Sequence, residues 1–343
     1  MVAMINEALA QGKIVVVVGG NSIAEGRGQG KELWTTDLQT RLGPSYKVLN
    51  LAQSGMPSFT GPYIAFLSLA LRHQDLYYVA VAQPLYANGV ETPFVGYSYW
   101  WDAHYKGLLP YYRRLDEYIS ERIKVETVAE KEILEECQIE ERLDSIFYFK
   151  DLWSTLAYKS FFTVWTKPTA NTFMAPRKIY PDEEPSPLEP VAHRFDDLNL
   201  EFERRDALRD FDTYFETNTE TKKRQFSKQM LDWYKYSIDA TVPEQLRSQV
   251  LLIDVRKNPL VLSRILNEEE FGLHEQVSEL SVKLWEGIGV SALYVGKDFK
   301  PDDYLDGCHL TGPGGAKLSA AVASKIFEMQ QINSQRKFRF IQR

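Results

Sequence analysis

Hydrophobic positions fall into a regular alternation of short apolar runs and helix-period segments at both ends of the chain, with a different pattern between them. The first run, Ile14 to Val18, stops at Gly19-Gly20-Asn21-Ser22. Four consecutive valines lack the apolar-polar alternation of a half-exposed strand, so the run predicts a central strand covered on both faces, as in a parallel sheet flanked by helices. A short helical lead-in over about Asn6 to Gln11 precedes it. Leu33, Trp34, Leu38 and Leu42 then predict a helix ending at Gly43-Pro44. Tyr46 to Leu51 predicts a second strand, and Pro62 to Arg72 a helix with Ile64, Leu67 and Leu71 on one face. Leu76 to Ala82 predicts a third strand. The resulting βαβαβ order is that of a doubly wound sheet, in which reactive groups lie at the carboxyl ends of strands, where Ser22 falls.

Beyond Pro84 the pattern breaks. An aromatic tract follows, with Phe94, Tyr97, Tyr99, Trp100, Trp101, Tyr105, Tyr111 and Tyr112, then a charged helical region over about 111 to 150. Phe147 to Trp165 is a second aromatic segment, Pro176 to Pro190 reads as an irregular loop, and further helix is expected from Leu198 to about Asp239. The α/β pattern resumes with a strand at Val250 to Val255, a turn at Asn258-Pro259 and a helix over about Glu275 to Glu286. A strand at Ser291 to Val295 and a closing helix over about Gly314 to Met329 complete it. The expected architecture is an α/β domain from residues 1–92 and 244–343, interrupted by a mostly helical, aromatic-rich insertion over 93–243 that serves as a lid or docking surface. Aromatic rings at the edge of such a site can stack on sugar faces, or they can simply anchor the insertion.

Composition narrows the function classes. A formal charge of −7 with 44% hydrophobic residues over 343 positions describes an ordinary globular chain, without the clustered basic surface that nucleic acid requires. The two cysteines, Cys137 and Cys308, stand in no CxxC or other metal-ligand spacing, so neither a disulfide framework nor a metal site is expected. No cofactor is implied. Gly26, Gly28, Gly30 and Lys31 fail as a phosphate loop, because Glu25 and Glu32 occupy the positions where a glycine and a magnesium-binding hydroxyl belong. No run is long and apolar enough to span a membrane, and the N-terminus lacks a signal peptide's basic start and apolar core. As written the chain is expected in the cytoplasm, or outside it if an upstream signal or anchor is missing.

Chemistry gathers at two distant points. A strand-end serine becomes a nucleophile when a histidine takes its proton and a carboxylate orients that histidine. Asp306-Gly307-Cys308-His309-Leu310-Thr311-Gly312-Pro313-Gly314 supplies both partners in one turn. Each residue also has a plain structural role open to it: Ser22 as a helix N-cap, Asp306 as a turn former, His309 as a cap or core polar group. The remaining histidines, His73, His104, His193 and His274, have no comparable context and are expected on the surface.

With Gly20-Asn21-Ser22 after the first strand, Asn50 to Gly55 after the second and Asp306-x-x-His309-Leu310-Thr311 with Gly314 near the end, the sequence resembles the SGNH or GDSL hydrolase superfamily. The resemblance covers roughly the first ninety residues and the last hundred. It implies a three-layer α/β/α sandwich with a flavodoxin-like parallel sheet. It also implies Ser22 as nucleophile, His309 as base and then acid, Asp306 as its orienter, and the Ser22 and Gly55 N–H groups as oxyanion donors. The family's third block, which contributes an oxyanion asparagine, has no counterpart here; Gln83 at the strand end and Asn88 a little beyond are the nearest amides. Superfamily members that acylate cell-surface polymers also depart from that block. The implied activity is hydrolysis of an O-acyl, best an O-acetyl, ester of a carbohydrate. Two alternatives stay open: O-acyl transfer to a surface polysaccharide, with a membrane-bound acyl-donor partner, or a non-catalytic binding or assembly role.

Overall fold

The computed structural model describes residues 1–30, 33–53, 58, 59, 61–82 and 242–341, with short pieces between 200 and 232. Its centre is a five-stranded sheet in which β1 (Ile14–Gly20), β2 (Tyr46–Asn50), β3 (Leu76–Ala82), β6 (Val250–Val255) and β7 (Ser291–Val295) stand in the order β2-β1-β3-β6-β7. Every pairing in it is parallel. A separate antiparallel pair, β4 (Phe215–Thr217) and β5 (Arg224–Phe226), lies outside the sheet. The strands run outward in both directions from β1 and β3, so the chain reverses its winding there. In parallel sheets that reversal opens a crevice beyond the carboxyl ends of the two strands. β1 delivers Ser22 to it.

The unalternating valines now have a physical reason. Val15 and Val17 join one buried cluster with Tyr63, Phe66, Tyr78 and Trp285, and Val16 and Val18 join another with Trp34, Leu38, Tyr77 and Leu318. All four are fully buried. Burial on both faces removes any position where a polar residue would be tolerated.

Helix α1 (Val2–Ala10) leads into β1, and α2 (Ser22–Glu25), α3 (Trp34–Leu42) and α4 (Gly61–Ala70) connect the early strands. α4 is buried at nine of its ten positions. Leu71, expected on its apolar face, instead lies just past the last turn and is 46% exposed. In the second half, α5 (Pro259–Ile265) and α6 (Glu268–Gly287) precede β7, and α7 (Gly312–Ile341) closes the described chain. α5 corrects the turn expected at Asn258-Pro259. Asn258 caps it by accepting from Leu260 N–H at 3.0 Å, and Pro259 opens its first turn, where a missing N–H costs nothing. α6 begins seven residues earlier than expected, at Glu268 rather than Glu275, because Asn267 and Glu270 form a reciprocal capping box. α7 continues twelve residues past Met329.

α6 also overturns one expectation about the histidines. His274 is 9% exposed, not on the surface, and lies on the buried face of α6. Burial pushes its pKa down to about 4, with Lys257 and Arg256 adding to the effect, so it is neutral near pH 7. His73 is half-buried at the end of α4. His104, His193, the aromatic tracts, the proline-rich segment and most of the expected insertion lie outside the described residues.

Candidate active site

Ser22 sits at the first position of a one-turn helix immediately after β1. The preceding Asn21 performs the capping, its side-chain oxygen accepting from Ile23 N–H at 3.0 Å, which leaves the Ser22 hydroxyl uncommitted to that role. Gly20 makes the approach possible: its φ is +115°, and an added Cβ would meet the Val81 carbonyl oxygen at 2.7 Å. The loop beyond α2 is held by buried polar contacts. Trp34 Nε1 donates to Ala24 O at 2.9 Å, Gln29 Oε1 accepts from Trp34 N–H at 2.8 Å, and Asn50 Nδ2 donates to the Ala24 and Glu25 carbonyls at 3.3 and 3.2 Å. Buried amides closed in this way resist rearrangement, because opening one strands a desolvated polar group.

From the other end of the chain, residues 304 to 310 fold back on themselves. Tyr304 and Leu310 form an antiparallel bridge, and Leu305 N–H donates to His309 O at 2.8 Å. Inside this turn, Asp306 Oδ1 accepts the backbone N–H groups of Cys308 and His309 at 2.9 and 2.8 Å. Its second oxygen, Oδ2, lies 2.7 Å from His309 Nδ1. His309 Nε2 in turn lies 2.8 Å from Ser22 Oγ. Gly314, in the first turn of the following helix, stands where a Cβ would run into the Asp303 carbonyl, so a larger residue would push α7 away from the turn.

The electrostatics follow from these contacts. The Asp306 bond, helped by the Cys308 thiol and opposed by burial, holds the His309 imidazolium well above the ordinary histidine range. Burial works against an ionised Asp306, but the hydrogen bonds from His309 and from two backbone N–H groups outweigh it and hold the carboxyl below its usual range. With Asp306 fixing the Nδ1 proton, the neutral imidazole presents an unprotonated Nε2 to the serine hydroxyl. That arrangement can take a proton from Ser22 as its oxygen attacks an electrophilic carbon, and return it to a departing alkoxide.

Of the other residues singled out in the sequence, Gly55, Gln83 and Asn88 lie outside the described residues. The Ser22 backbone N–H stands at a helix start, where no intrahelical acceptor exists for it. Glu25 is half-buried and Arg27 exposed.

Two residues beyond those proposed from sequence support the turn. Asn258, fully buried, donates its backbone N–H to Gly307 O at 2.9 Å and its Nδ2 to Asp306 O at 3.1 Å. Tyr304 OH donates to Arg256 O at 2.9 Å. Together they fasten the Asp306–His309 turn to the loop after β6. The available signal was the position of Asn258-Pro259 at the same sheet end as Ser22; its partner could not be read locally. Cys308 is the other addition, its Sγ 3.7 Å from His309 Nδ1.

No protein-family model matches this chain, and no curated protein matches it, so the geometry of Ser22, His309 and Asp306 carries the functional reading.

Proposed function

We propose that the chain is a serine-dependent acyl-ester enzyme of the SGNH type, acting on O-acyl, best O-acetyl, groups of a carbohydrate. The single observation that supports it is the unbroken relay Ser22 Oγ, His309 Nε2 and Nδ1, Asp306 Oδ2, with steps of 2.8 and 2.7 Å. A buried cap or an isolated turn former needs only one of those bonds. The parallel order β2-β1-β3-β6-β7 fits the α/β/α sandwich of that superfamily, with residues 93–243 as the insertion.

In this reading Ser22 Oγ attacks the ester carbonyl while His309 Nε2 accepts its proton. The oxyanion of the tetrahedral intermediate is met by the Ser22 and Gly55 N–H groups, with Gln83 or Asn88 as a further donor. Collapse expels the alcohol, which takes the proton from His309 and leaves an acyl-Ser22 ester. Water, deprotonated by His309, then releases the acid and restores the serine. A sugar hydroxyl in place of that water makes the same enzyme a transferase, with a membrane-bound acyl donor as its partner. Chromogenic acetyl-ester turnover and fluorophosphonate labelling, compared between wild type and Ser22→Ala, test the reading. Labelling and turnover confined to wild type support it; equal behaviour of the two removes its basis.

A further inference from the structure

Cys308 has no part in the proton relay, yet its thiol stands beside it. Asp306, Cys308 and His309 each offer one ligand-type atom, and the three atoms lie within 4.8 Å of one another, all on half-buried residues. Sγ is 3.7 Å and Asp306 Oδ2 is 2.7 Å from His309 Nδ1. A tetrahedral ion holding a thiolate at about 2.3 Å and an imidazole at about 2.0 Å separates those donors by roughly 3.5 Å. The sulfur and nitrogen are therefore already near coordination spacing. The nitrogen and oxygen need to part by only about half an ångström as metal bonds replace their hydrogen bond. Asp306 Oδ1 is tied to two backbone N–H groups, which fixes the carboxylate and leaves Oδ2 as the ligand, the orienting role that outer hydrogen bonds play in metal sites. A sulfur, nitrogen and oxygen donor set selects zinc-like ions over magnesium or calcium.

We propose that this turn binds a thiophilic divalent cation through Asp306 Oδ2, Cys308 Sγ and His309 Nδ1, and that the bound ion silences Ser22. The binding site stands on geometry alone; the silencing rests on the serine-ester reading. Coordination sends two protons to solvent, one from the Cys308 thiol and one from the Nδ1–H that Asp306 had held, and the ion takes the lone pair this leaves on Nδ1. The one proton left on the imidazole is then on Nε2, 2.8 Å from Ser22 Oγ, where it can donate but not accept. The base required for attack is gone until the ion leaves.

Titration of the full chain with Cd²⁺ alone, followed by the ultraviolet charge-transfer band of a cadmium thiolate, tests the site in wild type, Cys137→Ser, Cys308→Ser and Asp306→Asn. The expected result is one equivalent bound by wild type and C137S, no band in C308S, and affinity at least about tenfold weaker in D306N. In the same proteins, Zn²⁺ should slow fluorophosphonate labelling of wild type tenfold or more, reversibly with chelator, and leave C308S labelling unaffected. A folded wild type with no Cys308-dependent band overturns the site, and so does a D306N affinity equal to wild type. A band accompanied by unchanged labelling overturns the silencing. Cadmium binding at Cys308 in a protein never labelled, with or without metal, sinks the serine-ester reading and leaves the cation site standing.

Discussion

His309 Nε2 lies 2.8 Å from Ser22 Oγ although 287 residues separate the two in the chain. The two arrive on separate elements: β1 carries the serine, and the turn fastened to the β6–α5 loop carries the histidine. The consequences of that meeting can be measured one contact at a time.

The Asp306 bond should govern pH dependence. Because it holds His309 above the ordinary histidine range, neutral imidazole appears only as pH rises past that elevated value, and ester turnover should increase across it. Asp306→Asn removes the raising interaction, so the midpoint of kcat/KM against pH should move down toward about 6.5 while the rate falls on the order of a thousandfold. A D306N profile with an unchanged midpoint would mean that another group titrates.

Asn258 should act as a positioning residue. Asn258→Ala removes the Nδ2 bond to the Asp306 carbonyl and the α5 cap together. The fold should lose about 1–3 kcal/mol. Turnover should fall on the order of tenfold through kcat, with KM little changed, because this side chain is fully buried and acts through the Asp306–His309 turn. Asn258→Asp keeps the cap but not the donor, so it should recover stability without recovering kcat. Parallel recovery of both would assign Asn258 a purely structural part.

Asp254 should make stability depend on pH in the opposite sense to most carboxylates. Both its oxygens are buried without a hydrogen-bond partner among the described residues, and burial pushes its pKa up to about 8, with Glu275 adding to the effect. The folded state therefore binds a proton that the unfolded chain has released above about pH 4, and stability should decline from there through pH 8. Asp254→Asn abolishes this contribution. Its melting temperature relative to wild type should be higher at pH 9 than at pH 5, by an amount that grows through the interval, as thermal denaturation at several pH values will read. A difference independent of pH would show that Asp254 is not protonated in the folded protein.

Much of the sheet was legible because its cause is local. Four valines closed by two glycines leave few conformations open. Four of the five strands lie within a residue of their expected bounds, and β1 runs two residues past Val18 to take in Gly19 and Gly20. The Asp306 to His309 turn was legible for the same reason: three residues suffice for the carboxylate to reach the ring. What escaped depends on partners far along the chain. Asn258-Pro259 read as a turn, whereas an asparagine cap followed by proline is equally the start of a helix, and only the docking of the 304–310 turn discloses the use of its amide. His274 read as exposed because it stands in no recognisable motif; with Asn267 as the cap, it falls on the buried face of α6 with Leu273, Val277 and Ser278. The metal-like grouping around Cys308 escaped because Asp-x-Cys-His matches no familiar ligand spacing and is visible only as distances. Gly55, Gln83 and Asn88, expected around the oxyanion, lie outside the described residues.

In the proposed reading, Ser22 is a nucleophile activated by His309. The most direct measurement of this is fluorophosphonate labelling of the folded protein with the modified peptide identified by mass spectrometry, alongside Ser22→Ala and His309→Ala. A single adduct on Ser22 is expected in wild type, none in S22A, and labelling of H309A slowed by at least about a hundredfold. An adduct on another residue, or equal labelling of wild type and H309A, would contradict it.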